Sequence, residues 1–586
     1  MRRAPLYPAL FLLLAAAPAP PNPFDSEPLD LPALFDHRFR FDGAGRPVVL
    51  VGLMDGQAEV ALRTPGTLRV RFRDKEGAKT LQLPPGRRLV VRLKDGAPAR
   101  VRRWAVLETL ERDERLRRDE LITRWRAEIP EEVRLFEVGG IYGVEGTVVD
   151  NRASLVAAAP AREAELDALM QRLYRKTGVR PRVHDELMDL PRGRLALVDD
   201  NGATLATAVD VVETHAGDDP ITVEKVEHSQ GYKNHGVVDR SYGDRVVVAV
   251  DARGKLAAVN ALDVDRLLAG IVPSEIFPSS PLEALKAQAV TARGEVFAKV
   301  GIRHGTDPYV LCDEQHCQVY SGLGSEKPAC TQAVEQTRGE MAFLGGRLVD
   351  SVYSAMCGGR SEDNDVVWEV PPAAALRGRA DYEGATELLA AAVPPVEHAG
   401  RMLPPPSMTP DPSRLVAHPG LLALADLSRE DALRRFIDEP PPAWCQKATL
   451  GRKDRFRWTR RFTRDEAQER IKELDVGELV ALTVEARGRS GRVRTLKVEG
   501  SRGSAFVHRE LPVRRLFNNL PSGLFVLDQE RGAPGGPVTA WVFRGGGFGH
   551  GVGMCQTGAV GMAEAGHSYR DILRHYYNGA EVRRVY

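Results

Sequence analysis

Two short stretches of this 586-residue chain carry side chains that could do acid–base chemistry in a confined space. The first runs Leu267-Leu-Ala-Gly-Ile-Val-Pro-Ser-Glu275, followed by Pro281-Leu-Glu-Ala-Leu-Lys-Ala-Gln-Ala-Val-Thr-Ala-Arg293. It sets one carboxylate, Glu275, among Ile271, Val272, Ile276 and Phe277. Apolar neighbours desolvate an acid and raise its pKa, which suits a general acid working near neutral pH. The alternative is a solvated glutamate at a helix terminus. The second stretch, Arg544-Gly-Gly-Gly-Phe-Gly-His-Gly-Val-Gly-Met-Cys-Gln556, sets His550 in a turn with six glycines between 545 and 553. Such a turn lets the backbone approach a ligand and offer N–H donors. A dinucleotide loop is disfavoured, because no βαβ unit or downstream acid accompanies it. His550 taken alone also reads as a packed histidine. An acid paired with a close-approaching backbone suits an enzyme that grips a polar polymer.

A third group, His304, Cys312, His316 and Cys317, falls within fourteen residues. Two thiolates and two imidazoles make an acceptable tetrahedral zinc set, although the spacing is not that of a zinc finger. A Cys312–Cys317 disulfide is the competing reading in an oxidising compartment, and Cys357 and Cys555 could pair as well. Cys330 and Cys445 complete the six cysteines.

The elements that must position these groups follow from local pattern. Arg245-Val-Val-Val-Ala-Val250, a turn at Asp251-Ala-Arg-Gly254 and Leu256-Ala-Ala-Val259 read as a β-hairpin leading into the acid segment. Residues 263 to 272 read as a helix capped by Asp263 and stopped before Pro273, leaving Glu275 in a link. Ser280, Pro281 and Glu283 form a capping-box pattern for a second helix, with Leu282, Leu285, Ala289, Ala292 and Val296 on its apolar face.

Upstream, 24–130 reads as a β-rich module with a helical linker. Its 101–128 part is either one surface helix or a strand followed by a helix. Residues 132–238 read as a small α+β module, with a helix over Ala161 to Lys176, that binds a ligand or spaces the domains. Residues 240–586 form the largest unit; 370–440 within it is a Pro-rich irregular insertion, and 477–527 returns to strands. The expected fold class is α+β and multidomain, β-rich N-terminal modules preceding a mixed α/β domain.

With 81 basic and 80 acidic residues the formal charge is +1, which gives no global field to draw nucleic acid or anionic lipid. Hydrophobic content of 43% and charged content of 27% are those of a globular protein. Residues 1–20 read as an export signal, with Arg2 and Arg3, a short apolar run and a small-residue exit; a retained anchor is the alternative. The run is too short for a spanning helix, and no span is expected after cleavage. The location implied is the periplasm or cell envelope.

The segments Val272-Pro-Ser-Glu-Ile276, Glu283-Ala-Leu-Lys-Ala-Gln-Ala289 and Ala292-Arg293 together resemble the signature of the SpoIID/LytB family. Gln318-Val-Tyr-Ser-Gly322, Ser354-Ala-Met-Cys-Gly-Gly-Arg-Ser-Glu362, the glycine turn and His575-Tyr-Tyr-Asn-Gly579 follow in family order. The likeness covers most of 240–586. It departs at Arg293-Gly-Glu, where arginine, threonine and tyrosine are common, and at Cys555, where serine is usual.

The resemblance implies a glycan-binding groove, with Glu275 as catalytic acid. It also implies substrate contacts from Arg293, Gln288, Gln318, Tyr320, Arg360, His550 and Gln556, and structural zinc on His304, Cys312, His316 and Cys317. Two activities are implied. One is a peptidoglycan lytic transglycosylase that cleaves MurNAc–GlcNAc linkages in peptide-stripped strands. The other is a non-enzymatic, glycan-binding enhancer of an N-acetylmuramoyl-L-alanine amidase.

Overall fold

The computed structural model describes residues 29–586 apart from 44, 112–113, 145–146, 178–180, 229–234, 315, 369, 383–396, 399–400 and 403–425. The expected export signal lies outside the described residues, as does much of the 370–440 insertion. Among the described residues, no helix is long and apolar enough to cross a membrane.

The architecture is α+β and multidomain, as expected. The apolar runs form strands, but the sheets ignore the expected boundaries near 130 and 238. One eight-stranded sheet runs Arg40–Phe41, Pro47–Gln57, Leu256–Asp263, Arg245–Val250, Val211–His215, Leu68–Arg73, Ala78–Leu83, and Leu311–Cys312 adds parallel to Pro47–Gln57. Strands from both expected N-terminal modules thus share hydrogen bonds with the hairpin that feeds the acid segment. The reason is chemical: these strands are apolar on both faces, as at Pro47–Gln57 and Leu256–Asp263, and need partners from distant chain. Glu213 fastens three of them, accepting from Arg71 and Arg245 at 2.7 Å each while only 1% exposed. The true satellite unit is a four-stranded sheet, Val183–Asp189, Arg100–Glu111, Ala153–Ala159, Glu132–Val138, flanked by helices Arg115–Glu128 and Leu166–Thr177. The 101–128 stretch is therefore a strand followed by a helix.

Four helices build the site: α1 (Val264–Glu275), α2 (Leu282–Lys299), α3 (Pro328–Gln336) and α4 (Gln556–Glu564). Asp263 caps α1 as expected, accepting from the N–H groups of Asp265 and Arg266. The helix does not stop before Pro273, however. A proline in the last turn forfeits only one backbone bond. Ser274 Oγ donates instead to Gly270 O at 3.0 Å, and Ile276 N reaches Val272 O at 3.1 Å. Glu275 is thus the last helical residue, held by the helix rather than by a link.

The capping box of α2 does not form. Pro281 is the cap residue, Ser280 Oγ is buried with no partner among the described residues, and Glu283 accepts from Tyr569 N at 2.8 Å. Nor is α2 amphipathic: Leu285, Ala289, Ala292 and Val296 face one core, and Ala287 and Val290 face another. Helices buried on every side must satisfy each polar side chain internally. That requirement decides the fate of several motif residues.

Candidate functional site

Glu275 sits half-buried at the C-terminal end of α1, on a cavity of about 290 Å³ that it shares with Phe277, Ala355, Arg455, Gln556 and Thr557. Val319 N donates to its Oε1 at 3.2 Å. Burial pushes its pKa up, and this outweighs the Val319 amide, the charge of Lys299 and the Gln556 amide, all of which pull it down. No other carboxylate lines the cavity among the described residues. Phe277 is 55% exposed at the mouth, an aromatic face open to a ligand. Arg455 lies over the Phe548 ring at 4.0 Å and supplies a cation on the same cavity.

The glycine turn reaches this acid through its exit. Strand Tyr353–Ser354 pairs parallel with Met554–Cys555, which delivers Gln556 to the start of α4. Gln556 Nε2 donates to the main-chain carbonyl of Glu275 at 2.8 Å and to Gln288 Oε1 at 3.1 Å. Gln288 is fully buried, and its own Nε2 has no partner among the described residues. Of the two expected substrate contacts, Gln556 lines the cavity with Glu275, whereas Gln288 lies buried behind it and is not on the cavity wall.

His550 is placed differently from the expected groove wall. Its Nδ1 accepts from Val552 N at 3.1 Å, and its ring lies 4.9 Å from that of Trp368. Burial, then the Arg514 and Arg492 charges, push its pKa down to about 3, against the opposing Tyr353 backbone. The half-buried imidazole is thereby favoured in its neutral form, and it does not line the Glu275 cavity. The glycines also serve packing more than ligand approach. A Cβ on Gly551 would lie 2.1 Å from Arg492 Nη2, and one on Gly553 would lie 2.0 Å from Val352 O, both at positive φ. Phe548 N and Gly549 N donate to Met356 O and Pro521 O, so those amides face protein.

Four further expected contacts are sealed in the interior. Arg293 is 0% exposed: its guanidinium bonds Asp265 Oδ1 and the carbonyls of Val334, Thr337 and Glu340. It closes the carbonyl end of α3, where a cation complements the helix dipole. Gln318 Nε2 donates to Ala292 O at 3.1 Å, and Tyr320 OH to Asn260 Oδ1 at 3.0 Å. Arg360, 3% exposed, lies among Glu362, Tyr382 and Asp363. None of the four reaches the cavity. The motif positions hold the frame around the acid. Phe277, Arg455 and Thr557 line the cavity without having been singled out as contacts. Phe277 could have been noticed as a large aromatic next to the acid; Arg455 lies in a segment without a motif.

His304, Cys312, His316 and Cys317 do converge, with one ligand atom from each lying within 4.8 Å of all the others. His304 Nε2 is 3.3 Å from Cys317 Sγ, and His316 Nδ1 is 3.7 Å from Cys312 Sγ and 3.6 Å from Cys317 Sγ. Metal–ligand bonds of about 2.0–2.3 Å set tetrahedral edges of about 3.3–3.8 Å, which these separations match. His304 Nδ1 meets Asp307 Oδ2 at 2.9 Å, the outer carboxylate that commonly orients a metal-bound histidine. The residues therefore fit a zinc ion. All six thiols are free, so neither the Cys312–Cys317 nor the Cys357–Cys555 disulfide is formed. The cluster ends two residues before Val319, the donor to Glu275.

Part of this region matches a known protein family. Residues 252–343, which hold the hairpin's second strand, α1, Glu275 and α2, match the family described as Stage II sporulation protein. Residues 363–553 match a domain of unknown function, DUF8618. An uncharacterized protein of Brachyspira hyodysenteriae is 23% identical over 358 residues, which cover 61% of this chain and 75% of that one. A protein named Amidase enhancer from Bacillus subtilis is 26% identical over 329 residues, 54% of this chain and 40% of its own length. Stage II sporulation protein D of Bacillus amyloliquefaciens is 22% identical over 339 residues, 56% of this chain and 75% of its own.

Proposed function

We propose that this chain, whose residues 252–343 match the Stage II sporulation protein family and which is similar to a protein named Amidase enhancer, is an exported lytic transglycosylase acting on peptidoglycan glycan strands in the periplasm or envelope. The observation that carries this reading is a single carboxylate of raised pKa on an open cavity. Ordinary glycoside hydrolysis uses two carboxyl groups; closure of an internal ring needs one. Protonated Glu275 gives its proton to the glycosidic oxygen between MurNAc and GlcNAc as that C–O bond breaks. The resulting carboxylate takes the proton of the muramic C6 hydroxyl as its oxygen bonds to C1, leaving a 1,6-anhydro end and regenerating the acid. Val319 N–H steadies the carboxylate, Gln556 fixes the main chain beneath it, and Phe277 and Arg455 offer a stacking face and a cation to the saccharide. Zinc held by His304, Cys312, His316 and Cys317 would supply rigidity to the loop that carries Val319.

The test is product mass analysis with purified peptide-stripped glycan. Glu275→Gln should lower release of anhydro-muramyl ends by about 10²–10⁴-fold with the fold intact. Undiminished product from the variant would reject the assignment.

The match to a protein named Amidase enhancer favours one second reading, glycan binding that stimulates a separate N-acetylmuramoyl-L-alanine amidase. Under it, the chain alone releases no anhydro ends, and added amidase is stimulated equally by wild type and Glu275→Gln.

A further inference from the structure

Cys357, Asp381, Cys445 and Cys555 come together far from the His304 cluster in sequence, and nothing in the mechanism above uses them. One ligand atom from each lies within 4.8 Å of all the others. All four residues are sealed, at 0%, 1%, 1% and 0% exposure. From this arrangement we propose a second zinc site, Cys₃Asp, that is structural and independent of the glycan-cleaving reading.

Three observations support it. The first is geometric. Zinc–sulfur bonds of about 2.3 Å place the sulfurs of a tetrahedron about 3.8 Å apart. Cys357 Sγ and Cys445 Sγ are separated by 3.7 Å, far beyond the 2.05 Å or so of a disulfide. Pairing those two would in any case strand the third sulfur and the carboxylate. The second is the surrounding shell. Cys555 Sγ accepts from Cys357 N at 3.1 Å and from Gly558 N at 3.3 Å, and the latter makes it the cap of α4, where a thiolate is favoured. Asp381 Oδ1 accepts from Tyr576 OH at 2.5 Å and Oδ2 from Cys445 N at 3.1 Å. Metal ligands are commonly oriented by such outer hydrogen bonds.

The third observation is charge. A buried carboxylate among three sulfurs is costly unless a cation shares the space. Arg457, the guanidinium whose field reaches Cys357 and Cys445, directs its donors to the carbonyls of Phe436, Ile437, Phe456 and Gly358. His575 Nε2, buried with no hydrogen-bond partner among the described residues, stops 4.0 Å from Asp381 Oδ1. The described side chains thus place no cation among these four ligands, and thiolate-rich tetrahedra select zinc among the divalent ions.

The ligands lie 24, 64 and 110 residues apart along the chain, so one ion would tie four segments together. Cys555 directly precedes Gln556, whose amide carries the Glu275 carbonyl. Cys357 O is held by Arg492 Nη2 at 2.8 Å, which also packs under the glycine turn. The ion would therefore brace the floor beneath the acid without touching substrate.

The test is zinc stoichiometry by native mass spectrometry on the full chain, purified with zinc present. We expect two zinc ions in the wild type, one in H304A/C317S and one in C357S/C445S. A zinc-free H304A/C317S protein, a C357S/C445S protein that keeps two ions, or a Cys357–Cys445 disulfide in the native chain would overturn the site. Should either variant fail to fold, wild-type protein loaded with Co²⁺ decides. Thiolate-to-cobalt absorbance equivalent to five bonds supports both sites, and absorbance equivalent to two refutes the second.

Discussion

Two glutamates from neighbouring motifs, Glu275 and Glu362, start from the same chemistry and end in opposite situations. Burial raises the pKa of each. Glu275 keeps one backbone donor, Val319 N, and faces a cavity. Glu362 is 0% exposed: Ser490 Oγ donates to it at 2.6 Å and Asp363 N at 2.9 Å, with the Arg492 charge nearby. A perturbed acid is therefore no marker of a reactive one; access separates the two. The same contrast divides the arginines, Arg455 on the cavity and Arg293 inside the frame.

The most forceful way to break this contrast is to disturb the sealed member. Glu362→Ala removes the acceptor of the Ser490 hydroxyl and the Asp363 amide, and takes away one of the two buried carboxylates, with Glu510, whose fields reach Arg492. Removing one partner of a buried charged network costs about 3–5 kcal/mol. The urea unfolding midpoint should fall sharply, while kcat per folded molecule on glycan stays near the wild-type value. A variant of wild-type stability with lost activity would place Glu362 in the chemistry and dissolve the contrast.

Much of the frame was legible in the chain, and the reasons are physical. The hairpin over 245–259 and the Asp263 cap rest on local signals, whereas Pro273 read as a stop and hid that the helix carries Glu275 as its last residue. The sheet order was not legible, because strands at 47–57 and 256–263 carry no mark of each other. Arg293 and Tyr320 sit in motifs as fully as Glu275 does, and a motif does not say which of its side chains face inward. The Cys357–Asp381–Cys445–Cys555 cluster is assembled only by folding, whereas His304 to Cys317 is compact enough to be read directly.

A subtler discriminator is pH. The raised pKa of Glu275 means that the folded protein binds its proton more tightly than the unfolded chain does. That contribution to stability is complete below the unfolded glutamate value and is lost as pH rises through the folded one. Glu275→Gln removes the ionisation, so its melting temperature should match wild type in acid and exceed it at neutral pH. Partial solvent exposure keeps the gain small. Wild-type kcat should fall on the alkaline side as the acid deprotonates. Identical pH–stability curves for the two proteins would show that Glu275 is not desolvated.

The smallest expected effect sharpens the open side of the comparison. Phe277 packs little against the protein, being 55% exposed, so its removal should hardly change folding. If its face receives a sugar ring, Phe277→Ala forfeits apolar burial made on binding, about 1 kcal/mol, or roughly a fivefold rise in KM for glycan. With kcat unchanged, that pattern marks binding shared equally by ground and transition states. Phe277→Tyr should restore KM, because the phenol keeps the ring. A Phe277→Ala enzyme with unaltered KM would mean that the saccharide enters from the Arg455 side alone, and the cavity would then have a single polar approach to its acid.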